Sequence, residues 1–441
     1  MLKIKYLSCL AIGIVQSRQN SKPESKSIEN MKSKVKQLTL CQVSLKSFIA
    51  ICAIGLLFNL LWPTSLKAVG FRLPNQDPEA IARGDAFAAT ADNPSAIYYN
   101  PAGITQLESG NLRVGLYAIS PGVDYKSAAG TTASMNSDFQ LVPQLYFVYS
   151  PTNLPVSFGL GTYAPYGLSG DWGNNAPFST AAQSGSLLYL SINPVIAWRI
   201  NSQLSIGVGP TFNYSKVSLK NAFYYSPFLP PGQFSVDGDG WGYGFNAGIL
   251  WHPHPMWSFG INYRSGTDID YHGRSEFNPI APATATSGTL HFPQFVVGGI
   301  SFRPTDNWNF EFDLDWTDWD SVKQTTFNGA AFPAVLTLNY RSSFIYDFGI
   351  TRQLGKGYFA SIGYIYSENS SPDQNFNPLI ADADLQLGSI GFGHRGKRWD
   401  WAVAYHFGYG TRTVSGDVNP SANGTYRVFN NAFNLATTFK F

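Results

Sequence analysis

From residue 111 onward, large apolar residues recur at every second position in windows of about ten, each closed by a turn or loop. The clearest window is Trp399 to Tyr409. There Trp399, Trp401, Val403, Tyr405, Phe407 and Tyr409 share one face, and Asp400, Ala402, Ala404, His406 and Gly408 share the other. A period of two marks a strand, because successive side chains point to opposite sides. A soluble sandwich strand could read the same way. A continuous face of large apolar residues with aromatics at both ends suits lipid between two interfacial girdles better. The pattern returns at Trp241–Trp251, Leu188–Ile200 and Phe310–Trp316, and more weakly at 111–119, 140–150, 155–163, 203–217, 256–265, 293–303, 341–352, 357–367, 385–395 and 429–441. Together these windows predict fourteen strands.

The connections alternate in length along the whole chain. Those near 151–154, 201–202, 252–255, 304–308, 353–356 and 396–398 are short. Those near 120–139, 164–187, 218–240, 266–292, 317–340, 368–384 and 410–428 are long and rich in Gly, Pro, Ser, Asn and Asp. Tight periplasmic turns alternating with longer external loops are the asymmetry of outer-membrane barrels. The expectation is an all-β, transmembrane antiparallel β-barrel of about 14 strands. The last window ends on Phe441, with Phe433, Leu435, Thr437 and Phe439 on the same face. That ending resembles the signature read by the barrel-assembly machinery, although a closing strand alone would also alternate. On this facing, Trp401→Arg is expected to impair insertion, and Ala402→Arg to be better tolerated.

Composition agrees. Aromatic residues make up 15% of the 441 and charged residues only 13%, against about 25% charged in ordinary soluble domains. Past residue 68 no apolar run is long enough for a spanning helix. Before it, Lys32, Lys34, Lys36 and Lys46 precede the apolar stretch Phe48–Trp62, then Pro63 and the small or polar Thr64–Ala68. This order predicts a signal peptide cut near Ala68, with translation starting at Met1 or Met31. Residues 1–68 are thus read as a leader, 69–110 as an N-terminal periplasmic plug and 111–441 as the barrel. All three cysteines, Cys9, Cys41 and Cys52, fall in the leader. The leader carries +8 of a total of +2, which leaves −6 for the remainder and no basic stripe for nucleic acid.

Residues 69–110 are not strand-like. The Ala-rich stretch Glu79–Ala91 predicts a short helix ended by Asp92-Asn93-Pro94, and Asn100-Pro101-Ala102-Gly103 predicts a tight turn. Aromatics and low charge argue against a disordered tail, so the segment is expected to fold inside the barrel. The stretch ARGDAFAATADNPSAIYYNPAG at 82–103 resembles the N-terminal hatch of the FadL/TodX family of hydrophobic-compound transporters, including its Asn-Pro-Ala motif at Asn100, Pro101 and Ala102. PQLYFVYSP at 143–151, GLGTYAPYGLSGDW at 159–172, FPQFVVGGISFRPTDNWNFEFDLDWTDW at 292–319 and SENSSPDQNFNPLIADADLQLGSIGFGHR at 367–395 are similar to the same family. The resemblance implies a monomeric barrel that takes up long-chain fatty acids or other hydrophobic compounds passively. A hatch including Asn100, Pro101, Ala102 and Gly103 would gate it, and substrate would leave sideways at a kink in the third strand. Gly159, Gly161 and Pro165 are the candidates for that kink, with curvature alone as the other reading of the glycines.

Other constellations carry less. His252-Pro253-His254-Pro255 falls in a short turn, and Glu311, Asp313 and Asp315 read as polar lumen lining opposite lipid-facing Phe312, Leu314 and Trp316. Neither predicts a metal or catalytic site, and no nucleophile motif appears, so no cofactor and no enzyme is expected. Arg113, Lys216 and Arg264 are the candidates for a ligand carboxylate. Membrane lipid and lipopolysaccharide are the expected surroundings. The alternatives are a polar-solute porin, which a plug counts against, an adhesin, whose loops would carry activity, and an outer-membrane hydrolase, which lacks a nucleophile candidate.

Overall fold

The structure, a computed structural model, describes residues 71–136, 139–332 and 334–441. The leader, its cleavage point and the choice between Met1 and Met31 lie outside the described residues.

Fourteen antiparallel strands close into a barrel. They are β1 (Ser109–Lys126), β2 (Gln140–Ser150), β3 in two pieces (Val156–Tyr163 and Gly167–Asp171), β4 (Ser184–Arg199), β5 (Leu204–Phe223), β6 (Gly232–His254) and β7 in two pieces (Trp257–Arg264 and Thr267–Asn278). Then follow β8 in two pieces (Ala281–Phe292 and Phe295–Thr305), β9 (Trp308–Thr317), β10 (Ser343–Gly355), β11 (Tyr358–Ser367), β12 (Leu385–Arg395), β13 (Trp399–Val414) and β14 (Gly424–Lys440). Each pairs with its chain neighbours, and β1 closes on β14 from Asn111↔Lys440 to Lys126↔Thr425. Closure leaves no edge carrying unsatisfied backbone groups in lipid.

The facing follows the period-two pattern. Trp399, Val403, Phe407 and Tyr409 are exposed, whereas Ala402, Ala404 and His406 are buried toward the lumen. In β6, Trp241, Tyr243, Phe245, Ile249 and Trp251 are exposed and Asn246 and Leu250 buried. Two expected loops prove to be largely strand. Within 218–240, β5 runs on to Phe223 and β6 begins at Gly232; within 266–292, Thr267–Asn278 and Ala281–Phe292 form a hairpin. There the alternation persists as Ile269 and Tyr271 inside against Asp268, Asp270 and His272 outside. Strands that face water put polar residues outward, and so lose the lipid signature.

Residues 71–107 occupy the lumen, nearly all of them buried. The helix expected over Glu79–Ala91 shrinks to α1 (Pro78–Ile81), capped by Asp77, whose side chain accepts from the Glu79 N–H. Gly84 (φ 64°) and Asp85 (φ 57°) turn left-handed and stop it. A second short helix, α2 (Ala96–Tyr99), leads into a 3-10 turn over Pro101–Gln106.

Candidate functional site

The lumen segment is held by an inward row of carboxylates on β9, one every second residue. Asp315 takes two hydrogen bonds from the Arg72 guanidinium, at 2.8 and 2.6 Å. Asp313 accepts from the backbone N–H of Phe87 (2.8 Å) and Ala88 (2.7 Å) through one oxygen. Glu311 accepts from the N–H of Ala89 and Thr90, both at 2.9 Å, and from the Thr90 hydroxyl. Residues 87–90 therefore give all four of their amides to the wall instead of to helix carbonyls, which is why the predicted helix is short. The sequence pattern shows Glu311, Asp313 and Asp315 as one lumen face; nothing in it shows that a backbone turn would dock there.

Ion pairs fix the other side. Arg113 on β1 pairs with Asp77 and with Glu79 (3.1 Å), and Arg395 on β12 pairs with Glu79 (2.6 Å) and Asp92 (2.7 Å). Burial opposes ionisation of both carboxylates, but Arg395 outweighs it and holds Glu79, with Arg113, and Asp92 below the usual range. Asp85 differs. Burial pushes it up to about 7, against hydrogen bonds from Asn75 and from the Tyr99 hydroxyl (3.0 Å).

Asn100 accepts from the Ala102 N–H (3.2 Å) and donates to the carbonyls of Ala88 (2.8 Å) and Ile249 (3.0 Å). It thus ties the turn both to the rest of the segment and to β6. Pro101 and Ala102 are buried beside it. At Gly103 an added Cβ would lie 2.3 Å from the Ala91 carbonyl oxygen, so only glycine fits the crossing.

The register of β3 with β2 stops at Thr162↔Leu145. The second piece of β3 is in register with β4, Gly167↔Leu188 to Asp171↔Ser184. The break spans 164–166 and contains Pro165, whereas Gly159 and Gly161 lie in paired strand facing Ile97 of the lumen segment. The segment's first described residues cover the break from within: Leu73 N–H donates to Pro165 O and Gly167 N–H to Phe71 O, both at 2.8 Å. Phe71 packs on Trp319 (4.5 Å between centroids) and Phe292 (6.0 Å), and Tyr166 on Phe292 (4.9 Å) and Tyr189 (5.1 Å). An aromatic cluster thus lies directly inside the break.

The three basic candidates separate. Arg113 is spent on Asp77 and Glu79. Lys216 is exposed, on the opposite face of β5 from buried Ser215, so it points away from the lumen. A single β-residue of register makes that difference. Arg264 is buried, donates to the Tyr163 hydroxyl (2.6 Å) and stands against the rings of Tyr98 and Tyr163, both at 5.2 Å. No carboxylate pairs with it among the described residues. A cavity of about 110 Å³ lies between Phe71–Asn75, β10–β12 and the loop carrying Trp319 and Tyr340.

A closed outer-membrane barrel of fourteen strands, its lumen filled by its own N-terminal segment, defines a class of transport barrel and not an enzyme. The chain belongs to the family described as outer membrane protein transport protein (OMPP1/FadL/TodX), whose model matches residues 60–441. Among curated proteins it is 23% identical over 435 residues to the long-chain fatty acid transport protein of Salmonella typhi, covering 89% of this chain and 98% of the relative. Among solved structures, a Pseudomonas aeruginosa FadL homologue superposes with a TM-score of 0.76 at 15% identity, over 84% of this chain and all of that one. The Ralstonia pickettii toluene transporter TbuX does so with 0.65 at 19%, over 84% and 100%.

Proposed function

We propose that this protein is a passive outer-membrane channel for long-chain fatty acids or other hydrophobic compounds. On this reading the lumen segment is a hatch that stays in place, and substrate leaves sideways through the break in β3. The observation that carries it is the pairing of a tightly anchored floor with an aromatic cluster open to a break in the wall. Each buried CH₂ is worth about 0.8 kcal/mol, so an apolar path into lipid avoids a loss that an aqueous pore would impose. The names of the relatives, which include fatty acid and toluene transporters, support the same substrate class. Arg264 is the one basic candidate still able to meet a ligand carboxylate. We also read Phe441 as the assembly signal, and the chain as a monomer whose outward faces meet membrane lipid and lipopolysaccharide.

The test is uptake of a fluorescent long-chain fatty acid, and of a labelled aromatic hydrocarbon, by cells displaying the barrel. A variant lacking Pro165 alone, which removes the one-residue offset between Tyr163↔Ser191 and Gly167↔Leu188 so that β3 can run unbroken, should insert but transport neither. Undiminished uptake by that variant would sink lateral release. Changing Asn100 and Pro101 together to Ala should alter uptake while leaving insertion intact.

A further inference from the structure

The cavity between Phe71–Asn75 and β10–β12 has walls mostly of apolar side chains, among them Ile119, Ile345, Ile365 and Leu387. Three buried polar groups on its lining lack any hydrogen-bond partner within the protein: the Tyr340 hydroxyl, on a residue 1% exposed, Asn430 Oδ1, on one 6% exposed, and Arg72 Nε. Leaving such groups unmade is costly, and an apolar cavity with a few polar groups is the usual form of a small-molecule site. The charges on the lining are one-sided. Glu368 and Asp382 face one guanidinium, Arg72, and Arg72 is already matched by Asp315. Glu368 accepts from Phe344 N–H (3.0 Å) and the Tyr346 hydroxyl (3.3 Å); Asp382 accepts from the N–H of Ser370 (2.6 Å) and Ser371 (2.9 Å). These contacts hold both acids in place and leave the cavity short of positive charge. Arg264 is not part of the lining.

We infer that this cavity is a binding site for uncharged hydrophobic compounds bearing one hydroxyl or carbonyl group, such as alkylphenols or long-chain alcohols, with Tyr340 as the residue that selects the polar end. The inference rests on the hydrophobic-channel reading and narrows its substrate class. An ionised carboxylate would enter a space bordered by two acids, where the one cation, Arg72, is already paired with Asp315 and offers only its Nε–H. A hydroxyl could exchange a hydrogen bond with Tyr340, and an unsubstituted hydrocarbon could not.

Binding of 4-butylphenol, 4-butylbenzoate at pH 8 and butylbenzene would be measured by equilibrium dialysis on the intact protein in nanodiscs, against empty nanodiscs. The phenol should bind tightest and the benzoate weakest. Tyr340→Phe should weaken the phenol about two- to tenfold, the worth of one neutral hydrogen bond, and leave butylbenzene unchanged. A role for Tyr340 in packing alone would shift all three ligands together, and that result overturns the assignment. Tighter binding of the benzoate, or equal binding of all three, overturns the head-group selection while leaving the channel reading intact. No binding of any ligand above empty nanodiscs removes both.

Discussion

The carboxylate row on β9 makes a sharp prediction about what closes the barrel. Glu311→Ala removes the acceptor for the N–H groups of Ala89 and Thr90 and for the Thr90 hydroxyl, and leaves Arg83, 3.4 Å from the carboxylate, without its partner. Each buried donor left unmade costs about 1–3 kcal/mol, and water entering the gap recovers part of that. A net loss of about 3–6 kcal/mol in docking follows, which is two to four orders of magnitude in the docked-to-undocked ratio. The barrel itself should persist, because β9 keeps its full ladders to β8 and β10. Single-channel recording in planar bilayers reads the outcome directly: a barrel whose hatch leaves the lumen conducts ions, and one whose hatch stays does not. Glu311→Ala is expected to show frequent porin-like openings that the parent lacks, with faster hydrogen exchange at residues 87–90. Parent-like silence together with unchanged exchange at those amides would show that the row is lining only, and that the hatch is held by something else.

Further expectations concern packing, pH and the lipid face. A Cβ at Gly363 would sit 1.9 Å from the Gly84 nitrogen, so Gly363→Val should expel that turn and raise conductance, whereas Gly388→Ala, with nothing within 4 Å, should be silent. Burial raises Asp85 to about 7 in the docked hatch from 3.8. Docking should therefore strengthen as pH falls from above 7 toward 4 and weaken as pH rises through 7. Glu79 and Asp92, held low, act oppositely, and their support is lost as pH falls below the ordinary carboxylate range. Asp85→Asn should reduce the dependence above pH 4, with a remainder from Asp77, which burial also raises; a conductance–pH curve unchanged by it refutes the assignment. Val403→Arg, near the middle of the lipid face of β13, should cost about 2–4 kcal/mol of insertion. Trp401→Arg lies two residues from the turn edge and should cost less, as heat-modifiable band shifts would show.

The strands were legible because the membrane imposes a repeated, length-limited alternation: every predicted window falls on a barrel strand. What the alternation could not convey was the content of the lumen. Ala402 read as a tolerant lumen position, yet it is 2% exposed, so an arginine there would meet packed protein and should be tolerated no better than one on the lipid side. Arg113 and Arg264 looked equivalent as inward cations on strands. Only the distant pairing of Arg113 with Asp77 and Glu79 separates them, and contacts between residues so far apart in sequence leave no local pattern. Gly159 and Gly161 read as places for a bend. Their inward faces instead leave room for Ile97, a packing reason invisible without the segment in place.

The same contacts bear on the lateral exit proposed above. Opening the floor means separating Arg113 from Asp77 and Glu79, Arg395 from Glu79 and Asp92, and four backbone amides from Asp313 and Glu311, almost all of it in buried surroundings. Breaking one buried ion pair by removing a partner costs about 3–5 kcal/mol, and these act together. The wall at 164–166 is covered by two backbone hydrogen bonds with Phe71–Leu73, by the Gln76 side chain donating to Ala164 O (2.8 Å), and by ring contacts that an aromatic or aliphatic ligand can replace in kind. Arg72 lies in that stretch and is held by Asp315 and by the Thr317 hydroxyl (2.6 Å). A hydrophobic ligand gains nothing from the charged floor and can substitute for the rings at the break. On the proposed reading the route into lipid would therefore be the lower of the two barriers, with the hatch as the fixed surface that directs substrate toward it.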